Sequence, residues 1–152
     1  MVRIWSVLLL SALVAGALDA QTRDQTKAFV KQAVEFAKKH PRANFLGEVS
    51  NDQGRFHFSK GRNHDLYIFV YDTKGRVLAH GARRELVGLD RWTARDPNGL
   101  LWVQERTRLA TEHGSGWTEY KELNPSQKNK VMKKASWVEL CNGMIIGAGS
   151  YE

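Results

Sequence analysis

Apolar residues run without a break through Leu66-Tyr67-Ile68-Phe69-Val70-Tyr71 and resume in Val77-Leu78-Ala79, just before His80, after the polar Asp72-Thr73-Lys74-Gly75. Successive side chains of a strand point to opposite faces. Leu66, Ile68 and Val70 therefore share one face, and Tyr67, Phe69 and Tyr71 the other. The pattern predicts two strands joined by a tight turn at Asp72 to Gly75, where Gly75 can supply the positive φ such turns need. The aliphatic face suits a covering helix. The face with two phenol hydroxyls suits a half-polar cavity for a small molecule.

Apolar residues elsewhere follow other periods. Phe29, Val30, Ala33, Val34 and Ala37 recur every three or four residues, which predicts an amphipathic helix from Thr22 to His40, closed by Pro41. Ala43 to Val49 adds one or two helical turns, and Asn51-Asp52-Gln53-Gly54 is a turn cluster. Phe56 and Phe58 alternate with polar residues, as in a short strand or extended loop, and Ser59 to Asp65 reads as an exposed connection. Gly81 to Leu100 shows no period; a loop of that length in a small domain is often functional. Leu100, Val103, Thr107 and Ala110 predict a helix over Leu100 to Glu112, stopped by His113-Gly114-Ser115-Gly116. Three strands follow at Trp117 to Glu122, Met132 to Leu140 and Met144 to Tyr151, with turn signals at Asn124-Pro125 and Asn142-Gly143. Successive hairpins after helices give an α+β class with an antiparallel sheet.

The N-terminus has another character. Arg3 precedes a mostly apolar run from Ile4 to Leu18 without a charge before Asp19, and small residues follow at Ala15-Gly16-Ala17 and Ala20. This is the layout of a secretory signal peptide, and the run is short for a membrane span of about 20 residues. Residues 1–20 are expected to be removed, after Ala20 or Ala17, leaving one domain at 21–152; an uncleaved anchor is the other reading. The periplasm, or secretion, is the expected location. The formal charge is +7, spread over Lys38-Lys39, Arg83-Arg84 and Lys128 to Lys134, as in solvated faces. Export and the lack of a binding motif argue against nucleic acid. The single cysteine, Cys141, precludes a disulfide within the monomer and sits among apolar residues, as a buried thiol does.

No catalytic constellation emerges. HExxH, zinc-spaced Cys/His sets, CxxCH, the P-loop and the GxSxG elbow are all missing, and Gly147-Ala148-Gly149 starts too near the end of the sequence to open a dinucleotide-binding helix. Asp90 and Asp96 are a pair any loop offers. Neither enzyme chemistry nor a cofactor or metal is expected. Of the five histidines, His40 ends a helix, and His57, His64 and His113 have polar neighbours. His80 closes a buried strand beside the long loop. It is either bonded to backbone at the sheet edge or a pocket residue that donates to a carboxylate and titrates near neutrality.

Four segments taken together carry a resemblance: Tyr67-Ile68-Phe69-Val70-Tyr71-Asp72 with Leu78-Ala79-His80; Leu86-Val87-Gly88 with Asp96-Pro97-Asn98-Gly99; Gly116-Trp117-Thr118-Glu119-Tyr120; and Lys134-Ala135-Ser136-Trp137-Val138 with Gly147-Ala148-Gly149-Ser150-Tyr151. Their order and spacing over most of residues 25–151 resemble the single Cache domain of type 2, an extracytoplasmic sensor module. The resemblance implies a PAS-like antiparallel sheet of about five strands behind a long N-terminal helix, with a loop-helix insertion over a pocket. It implies a small organic ligand, often a short carboxylate. It also implies a membrane receptor or kinase as signalling partner, and a homodimer is compatible with it. The sequence contains no second span or output domain, as in a stand-alone exported form. Gly81-Ala82-Arg83-Arg84 follows His80 where the family often has proline, and Trp137 stands where it usually has tyrosine.

A carboxylate in a half-buried site needs a cation or several donors. Lys134 and His80 stand at the family's lysine and histidine positions. Tyr67, Tyr71 and Tyr120 offer hydroxyls, and Trp117 an apolar wall. The plain alternative for each aromatic is core packing, and for Lys134 an exposed position beside Lys133. The function expected is a periplasmic module that binds and senses a small organic acid. The alternative is an exported interaction module that docks on a membrane receptor, its pocket vestigial.

Overall fold

The computed structural model describes residues 11–57 and 66–152. The first ten residues of the predicted leader, Phe58, and the polar connection through Asp65 lie outside the described residues. Helix α1 (Ser11–Lys39) starts ahead of the Thr22 that the apolar spacing predicts, and Ala17 and Ala20 fall within it. Among the described residues, no helix is long and apolar enough to cross a membrane. Phe29, Val30, Ala33, Val34 and Ala37 are all buried. After Pro41, helix α2 (Arg42–Ser50) buries Phe45 and Val49. Phe56 is wedged between the two helices, its ring 5.6 Å from that of Phe36 and 6.1 Å from that of Phe45.

The strands are β1 (Phe69–Asp72), β2 (Val77–His80), β3 (Ser115–Asn124), β4 (Lys130–Cys141) and β5 (Met144–Tyr151). They form one antiparallel sheet in the order β2-β1-β5-β4-β3. The last strand thus inserts between the first hairpin and β4. In the β1–β2 turn, Asp72 Oδ1 accepts from the amides of Lys74 (2.8 Å) and Arg76 (2.9 Å), and Gly75 has φ +89°. At the β4–β5 turn Asn142 and Gly143 both have positive φ, which a two-residue hairpin of this twist requires. Helix α3 (Trp102–His113) ends on Gly114 in the left-handed conformation, whose amide donates to the Ala110 carbonyl.

Alternation sorts the sheet into two cores. Leu66, Ile68, Val70, Ile146 and Ala148 join the α1 and α2 side chains, and Cys141 is buried at the end of this core. Tyr67, Phe69, Tyr71, Val138 and Ile145 join Trp102, Val103 and Ala110 of α3. The 81–101 connection runs along the free edge of β2, where Gly88 and Leu89 pair with Val77 and the Arg91 amide donates to the Gly75 carbonyl. An edge covered in this way is not open to other strands. The connection is tied down by Asp96, whose Oδ1 accepts from the amides of Asn98 and Leu100 and whose Oδ2 accepts from that of Lys121 in β3.

Two glycines of β5 lie on the α3 side and leave room for what crosses them. A Cβ on Gly147 would sit 2.5 Å from the Phe69 ring, and one on Gly149 would meet Ser136 Oγ and come within 2.6 Å of Lys134 Cε. Gly149→Ala is therefore expected to destabilise the domain by about 1–3 kcal/mol, through overpacking in a sheet that cannot yield. Gly47→Ala, in mid-α2 with nothing within 4 Å of the new methyl, should stabilise it by about 0.5–1 kcal/mol. Denaturant midpoints of the two variants test both signs; a neutral Gly149→Ala would refute the steric argument.

Candidate functional site

The α3 side of the sheet buries two cations, Lys134 and Arg106. Lys134 lies in mid-β4, fully buried, where period two puts it on the same face as Ser136 and Val138. Its Nζ donates to Tyr67 Oη at 2.7 Å, lies 3.3 Å from Tyr151 Oη, and is 3.4 Å from Glu122 Oε2. The ammonium also sits 4.6 Å from the Tyr67 ring centroid and 4.7 Å from that of Tyr151. Burial pushes the Lys134 pKa down to about 8 against the pull of Glu122, which leaves it charged at neutral pH. Burial likewise lifts the Tyr67 phenol well above its ordinary range, so Tyr67 stays protonated.

Arg106 of α3 is the second cation, 1% exposed. Its guanidinium carbon lies 4.2 Å from the Trp102 ring centroid, 4.4 Å from Phe69, and 5.2 Å from both Tyr71 and Tyr120. Four rings surround it, yet its Nε and Nη2 are buried without a hydrogen-bond partner. Buried donors are almost always paired. Two unanswered donors on a planar cation are what a carboxylate would satisfy.

His80 closes β2 with its ring 5.1 Å from that of Tyr67. Its Nδ1 accepts from the amides of Ala82 (3.2 Å) and Arg83 (2.9 Å), which puts the proton on Nε2. Burial, aided by the charge of Lys134, lowers its pKa to about 3. The backbone-bonded histidine and the pocket histidine are thus one residue, with Nδ1 taken by the two amides and Nε2–H left as the donor. Tyr120 Oη is 2.9 Å from Ser136 Oγ, and its ring stacks on Trp102 at 5.0 Å. Tyr71 sits edge-on to Phe69 at 5.9 Å.

Tyr67, Tyr71, His80, Tyr120 and Lys134 are therefore on one face. Trp117 is not. It lies three residues before Tyr120, an odd step along a strand, and so points to the α1 side, where it meets the Trp137 ring at 5.4 Å under Arg23. The same parity count, applied to the sequence, excludes it as a pocket wall. Arg106, Glu122 and Tyr151 are site residues that the sequence reading did not single out. Arg106 had a signal: it stands three after Val103 and four before Ala110, a charge in the apolar stripe of α3. Next to the site is a cavity of about 180 Å³, bounded by Arg83, Arg91, Arg95, Trp102 and Glu122. Among the described residues no group of His, Cys, Asp and Glu could hold a metal ion.

The family model of the Cache domain matches residues 53–152, which carry β1 to β5, α3 and every site residue named above. The chain belongs to the Cache domain family. A curated relative of this Cache domain is the methyl-accepting chemotaxis protein McpP of Pseudomonas putida, 31% identical over 91 residues; that match takes in 59% of this chain and spans only 16% of the relative. Among solved structures, a methyl-accepting chemotaxis protein of Vibrio parahaemolyticus superposes with a TM-score of 0.73 at 18% identity, over 90% of this chain and 92% of the other. A Cache chemosensory domain solved for the structural basis of carboxylic acid recognition gives 0.70 at 23% identity, over 90% and 97%. The periplasmic sensor domain of a chemotaxis protein gives 0.64 at 24%, over 95% and 99%. The fold of the Cache domain is thus shared by sensors of chemotaxis receptors.

The low pKa of His80 makes a measurable prediction. From about pH 6.5 down to about 3, the unfolded chain takes up a proton that folded His80 refuses. Stability tied to this residue is therefore complete above pH 6.5 and declines as the pH falls through that window. In histidine NMR spectra the His80 ring should remain neutral from pH 8 to pH 5, with its proton on Nε2; a midpoint near 6.5 would contradict the site as described.

Proposed function

We propose that this Cache domain binds a small organic acid between the sheet and α3, as an extracytoplasmic sensor module. The observation that carries the reading is the guanidinium of Arg106, buried among four rings with two donors unanswered, on the same face as the buried ammonium of Lys134. A buried cation without a partner is costly, and an anion is the natural means of relief. A carboxylate has two oxygens to match the guanidinium edge, and the hydroxyls of Tyr67 and Tyr120 and the Nε2–H of His80 supply neutral donors around it. The apolar rings of Phe69 and Trp102 suit the carbon skeleton of such an acid.

Two kinds of similarity support this. The Cache chemosensory domain of similar fold was solved for its carboxylic acid recognition, and the other similar sensors belong to chemotaxis proteins. In this reading residues 1–20 act as an export leader, residues 21–152 form the sensing unit outside the cytoplasm, and a membrane receptor or kinase carries the output.

The full chain, titrated with acetate, propionate, malonate and succinate and followed by thermal unfolding, tests the binding. A ligand at a hundredfold excess over its dissociation constant adds about 2.7 kcal/mol of stability. Lys134→Ala should abolish the shift. Arg106→Met should abolish it as well, while leaving the unliganded protein at least as stable, because it removes two buried donors without hydrogen-bond partners and keeps an apolar side chain among the rings. An Arg106→Met protein that is much less stable yet keeps its ligand response would make Arg106 a structural residue. The response should also fade above pH 8, about tenfold in affinity per pH unit, as Lys134 loses its proton. Affinity constant to pH 10 would remove Lys134 from the binding step.

A further inference from the structure

Glu122 is the anion among these cations. It follows Thr118 and Tyr120 at period two on β3, which turns its side chain to the α3 face, where it is only 12% exposed. One carboxylate oxygen lies 3.4 Å from Lys134 Nζ and the other 3.5 Å from Arg83 Nη1. Charge-assisted bonds of this kind close to about 2.7–2.9 Å when well seated. The short bond of Lys134 goes instead to Tyr67, at 2.7 Å. Glu122 thus balances Lys134 without a tight seat of its own.

Its position is also at a boundary. Glu122 and Trp102 line the cavity of about 180 Å³ whose other walls include Arg83, Arg91 and Arg95. Arg91 leaves its buried Nε without a partner there. On the inner side, Glu122 touches Lys134, and Trp102 touches Arg106. Glu122 and Trp102 thus stand between the arginine-lined cavity and the two inner cations.

We propose that Glu122 is a tethered carboxylate that stands in for the ligand at Lys134 and restricts the site to acids of one negative charge. This rests on the organic-acid reading above. The inner charges are Lys134, Arg106 and Glu122, a net of one positive charge, since Arg83 is also answered by Glu85 at 3.5 Å. One carboxylate completes the balance. A second would face Glu122 in a poorly solvated site, where like charges repel strongly. Burial raises the pKa of Glu122, but the positive charges of Lys134, Arg106 and Arg83 outweigh it and hold the carboxyl below its ordinary range, so the anion persists.

The test compares the full chain with Glu122→Gln by calorimetric titration of acetate, propionate, malonate and succinate, with circular dichroism to confirm folding; Glu122→Ala serves as a second variant of different shape. The expected result is a gain for malonate and succinate at least tenfold larger than any gain for acetate and propionate. Binding that appears only in the variants would support the stand-in role too. An unchanged ratio of diacid to monoacid affinity in both variants, with the wild type binding monoacids, overturns the role of Glu122 and leaves the organic-acid reading intact. No binding of any of the four acids by any of the folded proteins overturns both.

Discussion

The ammonium of Lys134 is buried in the middle of a five-stranded sheet, and much of the surrounding structure answers the cost of keeping it there. A charge taken out of water needs partners at close range. Tyr67, Tyr151 and Glu122 supply them from three other strands or strand ends, at 2.7, 3.3 and 3.4 Å. Tyr151 is itself fixed by donating to the Leu123 carbonyl at 2.8 Å. Space for the lysine stem comes from Gly149 of β5, which lies opposite Ser136, since any side chain at that position would collide with Lys134 Cε. The order β2-β1-β5-β4-β3 is what makes this arrangement available: it brings the hairpin that carries Tyr67 next to β5, and β5 next to β4.

Arg106 lacks this kind of answer. Its rings hold it by cation–π attraction, which stabilises the charge without consuming its donors. The contrast between a lysine with three oxygens nearby and an arginine with none on two of its nitrogens gives the site a direction. Lys134 can hold one side of an anion while remaining compensated when the anion is absent. Arg106 keeps two donors, Nε and Nη2, for a group that its rings do not supply. Regions of a fold that carry unfavourable groups of this kind trade stability for function.

The fold was largely legible because its signals are periodic. The two-faced pattern of Leu66 to Tyr71 assigns both cores, and Asn142-Gly143 and Gly114 fall where a hairpin and a helix stop need positive φ. The start of α1 at Ser11 was not legible, because the break read at Thr22 followed the apolar spacing and not helix propensity. In the site, Tyr67, His80 and Lys134 could be gathered from motif spacing. Trp117 could be misplaced because a strand's face depends on parity, and a motif such as Gly116-Trp117-Thr118-Glu119-Tyr120 spans both faces. His80 shows a further limit. Its place in the chain indicates burial beside a loop, but only the amides of Ala82 and Arg83 on Nδ1 establish that it is neutral and which nitrogen donates.

The net charge of +7 would suggest an acidic surface as partner if composition were the guide. Placement argues otherwise. Most of the basic residues are solvated or paired on the surface, as Arg108 is with Glu105 and Glu112, and Lys133 with Glu152 and Glu119. Pairs of that kind contribute little and are screened by salt. Among the described residues, Lys134 and Arg106 are the buried members of the Lys and Arg set, and they lie on one face of one sheet. A Coulomb interaction grows several-fold when water is excluded from it. Two cations in that environment therefore carry more electrostatic weight than the remaining basic residues on the surface, and the site proposed around them suits a small anion that can be enclosed, not a large one that must lie outside.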